Sequence, residues 1–344
     1  MRRAHDRRFE ILDAIVRMHV ETGQPVGSAL VARSLGRDLS SATLRAVMVG
    51  LAEDGYLSQP HASSGRVPTD EGYRSFVDRY LGARPFLDDA PSREVRRRVE
   101  ERLQRHAGTQ AIGQALASLL AELTTNVSII LGPSWASARA LRLDLYPRDG
   151  RRILMVLVLE NAFVRSGIFT TARDYPAAIV AQAARLLSER VSGRTVAEIR
   201  TRVLPSLDGA VSAADRCASE LASGGRDLFG DVEEGEIALD GLGRMLEQPE
   251  LSDPGRLKSL IRFLESPRQM RDTLLRLSGS REGIAVWIGG ENPVGELRPF
   301  SLLSAPFDVA GRRGILAVLG LRRMPYPRAF AGMEVVLNGL RRLA

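Results

Sequence analysis

Apolar positions in the N-terminal segment recur at helical intervals, separated by glycine-rich or small polar breaks. Between Asp6 and Glu21, the residues Phe9, Leu12, Ile15, Val16 and Val20 fall on one face of a predicted helix. Gly23 ends that pattern, and Pro25 follows where proline commonly sits beyond a helix end. A short second helix is predicted after Ser28, whose hydroxyl can accept from a free first-turn amide, and it stops at Gly36. A third begins at Ser40 or Ser41 and turns Leu44, Val47, Met48 and Leu51 inward before ending near Gly55. Compact helices with a short loop between the second and third make a helix-turn-helix pattern.

Beyond Gly55 the pattern changes. Tyr56–Gln59 and Arg66–Pro68 read as two short extended pieces around a polar tip containing Ser63-Ser64-Gly65. That is a β-hairpin wing, in which Gly65 is expected to take a positive φ. Thr69 should cap a fourth helix with Tyr73, Phe76, Val77 and Tyr80 on its apolar face. A linker follows at Gly82–Ser92, then a long helix or helix pair over residues 93–125. From Val127 the period becomes two. Val127–Leu131, Leu141–Tyr146, Ile153–Glu160 and Phe163–Phe169 read as strands, helices return within Ala177–Leu221 and Leu257–Leu277, and strands reappear at Ile284–Ile288, Phe300–Phe307 and Gly314–Leu319. A last helix is predicted from Arg328 to Leu343. Strands, then helices, then strands again predict an α+β domain interrupted by an insertion.

Composition narrows the classes. The chain has 344 residues, 44% of them hydrophobic and 26% charged, as in globular chains with more than one core. Its longest apolar runs fall far short of the roughly twenty residues of a membrane helix, and the charged start leads into an amphipathic segment rather than a signal peptide. One cysteine, Cys217, leaves no intrachain disulfide, so a reduced cytoplasmic setting is expected. His5, His19, His61 and His106 lack metal-ligand spacing, and no metal or cofactor is expected. Net charge is +7, but only Lys258 is a lysine among 48 basic residues, a skew that GC-rich coding would produce. Net charge is thus weak testimony for an anionic partner, and the placement of the arginines must supply it. Gly289-Gly290-Glu291-Asn292 lacks both P-loop and dinucleotide-binding spacing and reads as a turn after a strand. No catalytic constellation stands out, so an enzyme is not expected.

The most specific string is Gln59-Pro60-His61-Ala62-Ser63-Ser64-Gly65-Arg66-Val67-Pro68-Thr69-Asp70-Glu71-Gly72-Tyr73-Arg74. With Glu21–Ser28, Leu39–Arg45, Gly55-Tyr56-Leu57, Ile288–Pro293 and Arg323-Met324-Pro325-Tyr326, it resembles the HrcA family, bacterial heat-inducible repressors of chaperone operons. The chain departs from the family pattern at Ser41, where proline is usual, at Ala46, where asparagine is usual, and at Gly320-Leu321-Arg322, where Gly-Pro-Thr is usual. The resemblance implies a multidomain α+β protein: a winged helix-turn-helix DNA-binding domain over 1–82, a linker and helix over 83–125, and a GAF-like domain over 126–344, interrupted at about 175–250 by a dimerising insert. It further implies a homodimer on an inverted-repeat operator in double-stranded DNA upstream of chaperonin operons, with chaperonin supporting the active form and no membrane partner.

On the third helix, Ser40, Ser41, Thr43 and Arg45 would face DNA, with Ser28 at the start of the second. Hydroxyls beside free helix-start amides suit phosphate or base-edge acceptors, and Arg45 suits guanine. Arg45 could instead pair with Glu53 or Asp54. On the wing, His61, Ser63, Ser64 and Arg66 would reach a phosphate or the minor groove, unless Arg66 is tied to Asp70. The apolar face from Ala111 to Leu123 could form a dimer contact or simply core. An alternative function is a winged-helix regulator whose GAF-like domain binds a small effector. Polar groups converging on a pocket in that domain's sheet would favour it, and a Val, Leu and Ile filling would disfavour it.

Overall fold

A computed structural model of the chain describes residues 2–35, 40–61, 64–82, 93–106, 111–149, 151–160, 163–207, 212–224, 235–278, 283–309 and 311–342. Helix α1 (Arg2–Thr22) buries Ile11, Leu12, Ile15 and Val16, which its three- and four-residue spacing places on one face. Phe9 and Val20 pack at the rim of that face. At Gly23 the backbone turns left-handed with φ +68°, and its amide reaches the His19 carbonyl at 2.8 Å, closing the helix. Helix α2 (Ser28–Leu35) buries Val31, and α3 (Ser41–Glu53) buries Leu44, Met48 and Leu51. The expected stop at Gly36 and the loop after it lie outside the described residues.

Strands β1 (Leu57–Ser58) and β2 (Val67–Pro68) pair antiparallel and are shorter than the sequence pattern predicts. Val26 and Arg66 bridge through reciprocal backbone hydrogen bonds of 2.8 and 2.9 Å, so the segment before α2 lies against the hairpin. The expectation of a positive φ at Gly65 is corrected, since Gly65 is not among the left-handed glycines. Its requirement is space: a Cβ there would sit 2.5 Å from the Val26 carbonyl. Helix α4 (Asp70–Gly82) starts where Thr69 Oγ1 accepts from the Gly72 amide at 3.1 Å, and it buries Tyr73, Phe76, Val77 and Tyr80 as predicted.

Helices α5 (Arg93–His106) and α6 (Ala111–Thr124) form a pair. They cover one face of a five-stranded antiparallel sheet, order β7-β3-β10-β9-β8, built from β3 (Val127–Leu131), β7 (Ile237–Asp240), β8 (Ala285–Ile288), β9 (Phe300–Val309) and β10 (Arg312–Leu321). Helix α13 (Tyr326–Arg341) joins them on that face, with Ile130, Leu303, Leu316 and Val318 beneath. On the opposite face, α10 (Leu242–Leu246), α11 (Pro254–Leu264) and α12 (Pro267–Ser278) pack over Ile129, Phe300, Leu302, Ile315 and Leu319. Covered on both sides, β9 and β10 read as nearly unbroken apolar runs. Leu116, Ala117, Leu119 and Leu120 of α6 are buried in this core, so the core alternative for the Ala111–Leu123 face is the one realised.

One expectation fails. The strands predicted across residues 141–169 do not join this sheet. The chain leaves it after Leu131 and forms a separate antiparallel sheet, β4 (Ala140–Asp149), β5 (Arg152–Leu159) and β6 (Val164–Thr170). Helices α7 (Ala177–Val191), α8 (Val196–Glu198) and α9 (Ala213–Gly224) follow, and the chain returns to the larger sheet only at β7. The interruption therefore begins near residue 132 rather than about 175. Leu143, Met155, Leu157, Leu187, Ile199 and Leu221 give the inserted unit its own core. Arg312 of β10 fastens it to the main sheet, lying 5.1 Å over the Trp135 ring and 3.0 Å from Glu160. Among the described residues, no helix is long and apolar enough to cross a membrane.

Candidate nucleic-acid interface

The N-terminal ends of α2 and α3 meet. Ser28 Oγ and Ser41 Oγ lie 3.0 Å apart, which brings two helix starts and their free amides together on the surface. Ser40 is the N-cap of α3: its Oγ accepts from the Thr43 amide at 3.0 Å and lies 2.9 Å from Thr43 Oγ1. With Leu44 and Met48 turned inward, Ala42, Thr43, Arg45, Ala46 and Val49 form the exposed face of α3. Arg45 has no hydrogen-bond or ion-pair partner among the described residues. Asp54, one of its expected alternatives, is held at 2.6 Å by Arg8.

The hairpin tip is internally bonded. Ser64 Oγ donates to the His61 carbonyl at 2.7 Å and accepts from the His61 amide at 3.0 Å, so Ser64 shapes the turn and His61 stays exposed. Ser63 lies outside the described residues. Arg66 is fixed through its backbone to Val26, two residues before Ser28, which sets the hairpin beside the paired helix starts. Its guanidinium has no partner among the described residues either. The alternative tie to Asp70 is not made, because Asp70 serves another purpose.

Asp70 accepts from the Gly290 amide at 2.8 Å and pairs with Arg322 at 3.0 Å. One turn along α4, Arg74 grips both carboxylate oxygens of Glu291, with Nε at 2.7 Å from Oε1, and donates to the Val286 carbonyl at 2.8 Å. The bond to Glu291, which outweighs the cost of burial, raises the Arg74 pKa. Arg323 grips Glu250 and reaches the Val20 carbonyl of α1 at 3.3 Å. Tyr73 OH lies 2.7 Å from His19 Nδ1, and its ring packs on Tyr326. Burial, assisted by the charge of Arg323, holds the His19 pKa below the ordinary imidazole value. Tyr80 stacks on Phe330 at 5.7 Å between centroids. The N-terminal unit is thus seated on the main sheet through α4. Sequence reasoning did not foresee this seam, although Asp70, Arg74, Gly290, Glu291, Arg323 and Tyr326 come from three of the six strings that carry the family resemblance.

A second exposed feature lies on the inserted sheet. Cross-strand rows Tyr146–Leu154–Ile168 and Val158–Val164 face away from α7 and α9, and Tyr146, Val164 and Ile168 are 51%, 47% and 57% exposed.

Comparison with known proteins gives a consistent picture. Residues 110–330 match the family model described as HrcA protein C terminal domain. The heat-inducible transcription repressor HrcA of Pelotomaculum thermopropionicum is 32% identical over 339 residues, covering 97% of this chain and 95% of that protein. The protein of the same name from Chlorobium phaeobacteroides is 31% identical, covering 94% and 93%. A crystal structure of a hypothetical protein at 2.2 Å resolution superimposes with a TM-score of 0.77 at 24% identity over 98% of each chain, a likeness of fold.

Proposed function

The chain belongs to the HrcA family of heat-inducible transcription repressors, and from that premise we propose that it represses chaperone operons by holding an inverted-repeat operator as a dimer. The observation that carries this reading is the juxtaposition of Ser28 and Ser41 at two helix starts, beside the exposed guanidinium of Arg45, which has no partner among the described residues. Free amides and hydroxyls at helix starts are phosphate ligands. Arg45, projecting from the exposed face of α3, would make the bidentate contact to guanine O6 and N7 in the major groove.

In this reading α1 to α4 with β1 and β2 are a winged helix-turn-helix. Arg66, His61 and Ser63 of the wing meet the neighbouring phosphates or minor groove, Ser64 holds the turn that presents them, and Ser40 caps α3 while Thr43 faces the bases. The five-stranded sheet with its helices is a GAF-like body, and the insert is the dimerising unit. Its apolar outer face, centred on Tyr146, Leu154, Val158, Val164 and Ile168, fits a second copy of the same face around a two-fold axis. One head reads few base pairs, so two heads with matching symmetry supply the specificity. Both faces of the main sheet are packed with Leu, Ile, Val and Phe, which favours this reading over an effector pocket there. A cytoplasmic setting and support by chaperonin follow from the family. Adding purified chaperonin to a partly inactive preparation should raise the count of operator-competent dimers, and no gain would remove that part.

A shift assay with an inverted-repeat duplex against a scrambled one, at several salt concentrations and temperatures, tests the whole. Preferential retention of the inverted repeat, declining on heating, is expected. Equal affinity for both duplexes at every salt concentration would overturn the proposal.

A further inference from the structure

The seam between the N-terminal unit and the main sheet joins two rigid parts. On one side, Asp70 lies two residues beyond β2, in the first turn of α4. Thr69 Oγ1 donates to the Gly55 carbonyl at 2.6 Å, and the Thr69 amide donates to the Tyr56 carbonyl at 3.1 Å, which binds the start of α4 to the end of α3. Gly72 lies so close to the Tyr56 carbonyl that a Cβ would overlap it. Whatever holds Asp70 and Arg74 therefore holds the hairpin and α3 as well.

On the other side, the Gly289–Glu291 turn is anchored to the sheet. Asn292, fully buried, donates its side-chain amide to the carbonyls of Gly289 at 3.1 Å, Leu297 at 3.2 Å and Phe300 at 3.1 Å. Glu291 accepts from the Ile288 amide at 2.8 Å while holding Arg74. Gly289 has φ +52°, and a Cβ there would fall within the Asp70 carboxylate. Arg322, the other partner of Asp70, follows directly after β10. Bidentate charge-assisted bonds fix direction as well as distance, and the Thr69 and Asn292 hydrogen bonds tie each side of the seam to the elements behind it.

We infer that Asp70 and Arg74 are positioning residues for operator binding: they set the angle at which the DNA-reading unit leaves the body, and hence the half-site spacing that a dimer accepts. The spacing rests on the proposed operator reading. The fixing of the angle does not, and the two are tested by separate readouts. Joining two heads raises affinity only when both can engage at once. A rigid seam makes that geometry narrow, and a loosened one makes it broad without altering the contacts of a single head.

The variants are Asp70→Asn, a mild change, and Arg74→Ala, which removes the grip on Glu291 altogether. Thermal melts check folding. Spin labels are placed at Glu53→Cys on α3 and Lys258→Cys on α11, both exposed sites. The one native cysteine, Cys217, is buried, and burial pushes its thiol up to about 11, so it does not compete for label. A narrow label–label distance distribution in the parent and a broadened one in either folded variant are expected. Equal widths overturn the inference. Binding is then measured on a single half-site and on inverted repeats whose spacer is stepped through about one helical turn. The parent should show one preferred spacer, with a loss on the order of tenfold or more half a turn away. The variants should keep half-site affinity within about twofold and show a flattened spacer profile. A variant profile as sharp as the parent's overturns the spacing role. No preference of the parent for any inverted repeat over scrambled DNA overturns the operator reading and the spacing role with it, while the label distances still decide whether the two residues hold the head.

Discussion

Two charged surfaces of the N-terminal unit behave in opposite ways. At the seam with the body, Asp70, Arg74, Glu291, Arg322, Arg323 and Glu250 are all engaged with one another or with backbone groups. On the face built by α3 and the hairpin, Arg45 and Arg66 have no partner among the described residues, and two of the acids expected to pair with them are engaged elsewhere: Asp54 with Arg8, Asp70 with Gly290 and Arg322. A guanidinium already gripped in two directions fixes geometry. One left ungripped on a surface of helix starts is available to an anionic partner. Net charge cannot separate the two cases, because the unit carries nearly as many acids as bases. What separates them is where the acids are spent.

The comparison is broken most severely at Gly289. Gly289→Ala would put a Cβ into the Asp70 carboxylate and force alanine into a left-handed backbone. Strain and overpacking together should cost about 2–4 kcal/mol. The predicted result is a lower denaturation midpoint and a unit that no longer seats on the sheet, read by chemical denaturation and limited proteolysis between α4 and the body. A midpoint equal to the parent's would show that the seam yields without loss. Gly65→Ala on the other surface should distort only the approach of the hairpin to Val26.

Next comes the reading face. Arg45→Ala should lose about 1–3 kcal/mol of discrimination between operator and random DNA while keeping weak, salt-sensitive binding. An unchanged ratio of the two affinities would sink the assignment of Arg45 to a base. Its stability should hardly move, because Arg45 has no partner among the described residues to lose. Arg74→Ala should do the reverse, changing seating more than contact, and the pair of variants measures how cleanly the two surfaces divide the work.

The same division explains what was legible in the sequence. Helix faces and the hairpin were readable because their signals are local: Leu44 and Met48 four apart, Thr69 before the apolar face of α4. The interruption of the main sheet was misplaced because β4, β5 and β6 alternate with the same period of two as body strands, and sheet membership is decided by pairing across long separations. Strand β7 is only four residues long and falls within the predicted insert, where Ile237-Ala238-Leu239 is too short a signal to mark a strand of the main sheet. The seam was invisible for a related reason. Arg74 and Glu291 are 217 positions apart, and nothing in either string announces the other. At Gly65 the sequence points to a positive φ, whereas the structure uses the glycine for the Val26 carbonyl against it.

Arg66→Ala is a smaller perturbation. A phosphate contact carries no sequence information, so operator and random DNA should weaken alike, and the slope of log affinity against log salt should fall by about 1. Identical affinities of variant and parent for both DNAs would remove Arg66 from the interface. Selective loss for the operator alone would move it from phosphate to base contact and blur its contrast with Arg45.

The smallest effect belongs to a titration at the seam. His19 accepts or donates at Nδ1 opposite Tyr73 OH, and burial first, then the Arg323 charge, depress its pKa in the folded chain. The unfolded chain, with an imidazole near about 6.5, binds the proton more readily than the folded one. Stability should therefore be fully present above that value and decline as the pH falls from it toward the depressed folded value. His19→Gln keeps a polar group opposite Tyr73 but removes the titration, so its denaturation midpoint should vary less with pH than the parent's across that window. Arg45→Ala and Arg66→Ala, on the other surface, should leave the parent's pH dependence intact. Parallel profiles for His19→Gln and the parent would show that the imidazole is already free to protonate when folded, and that proton binding does not distinguish the seam from the reading face.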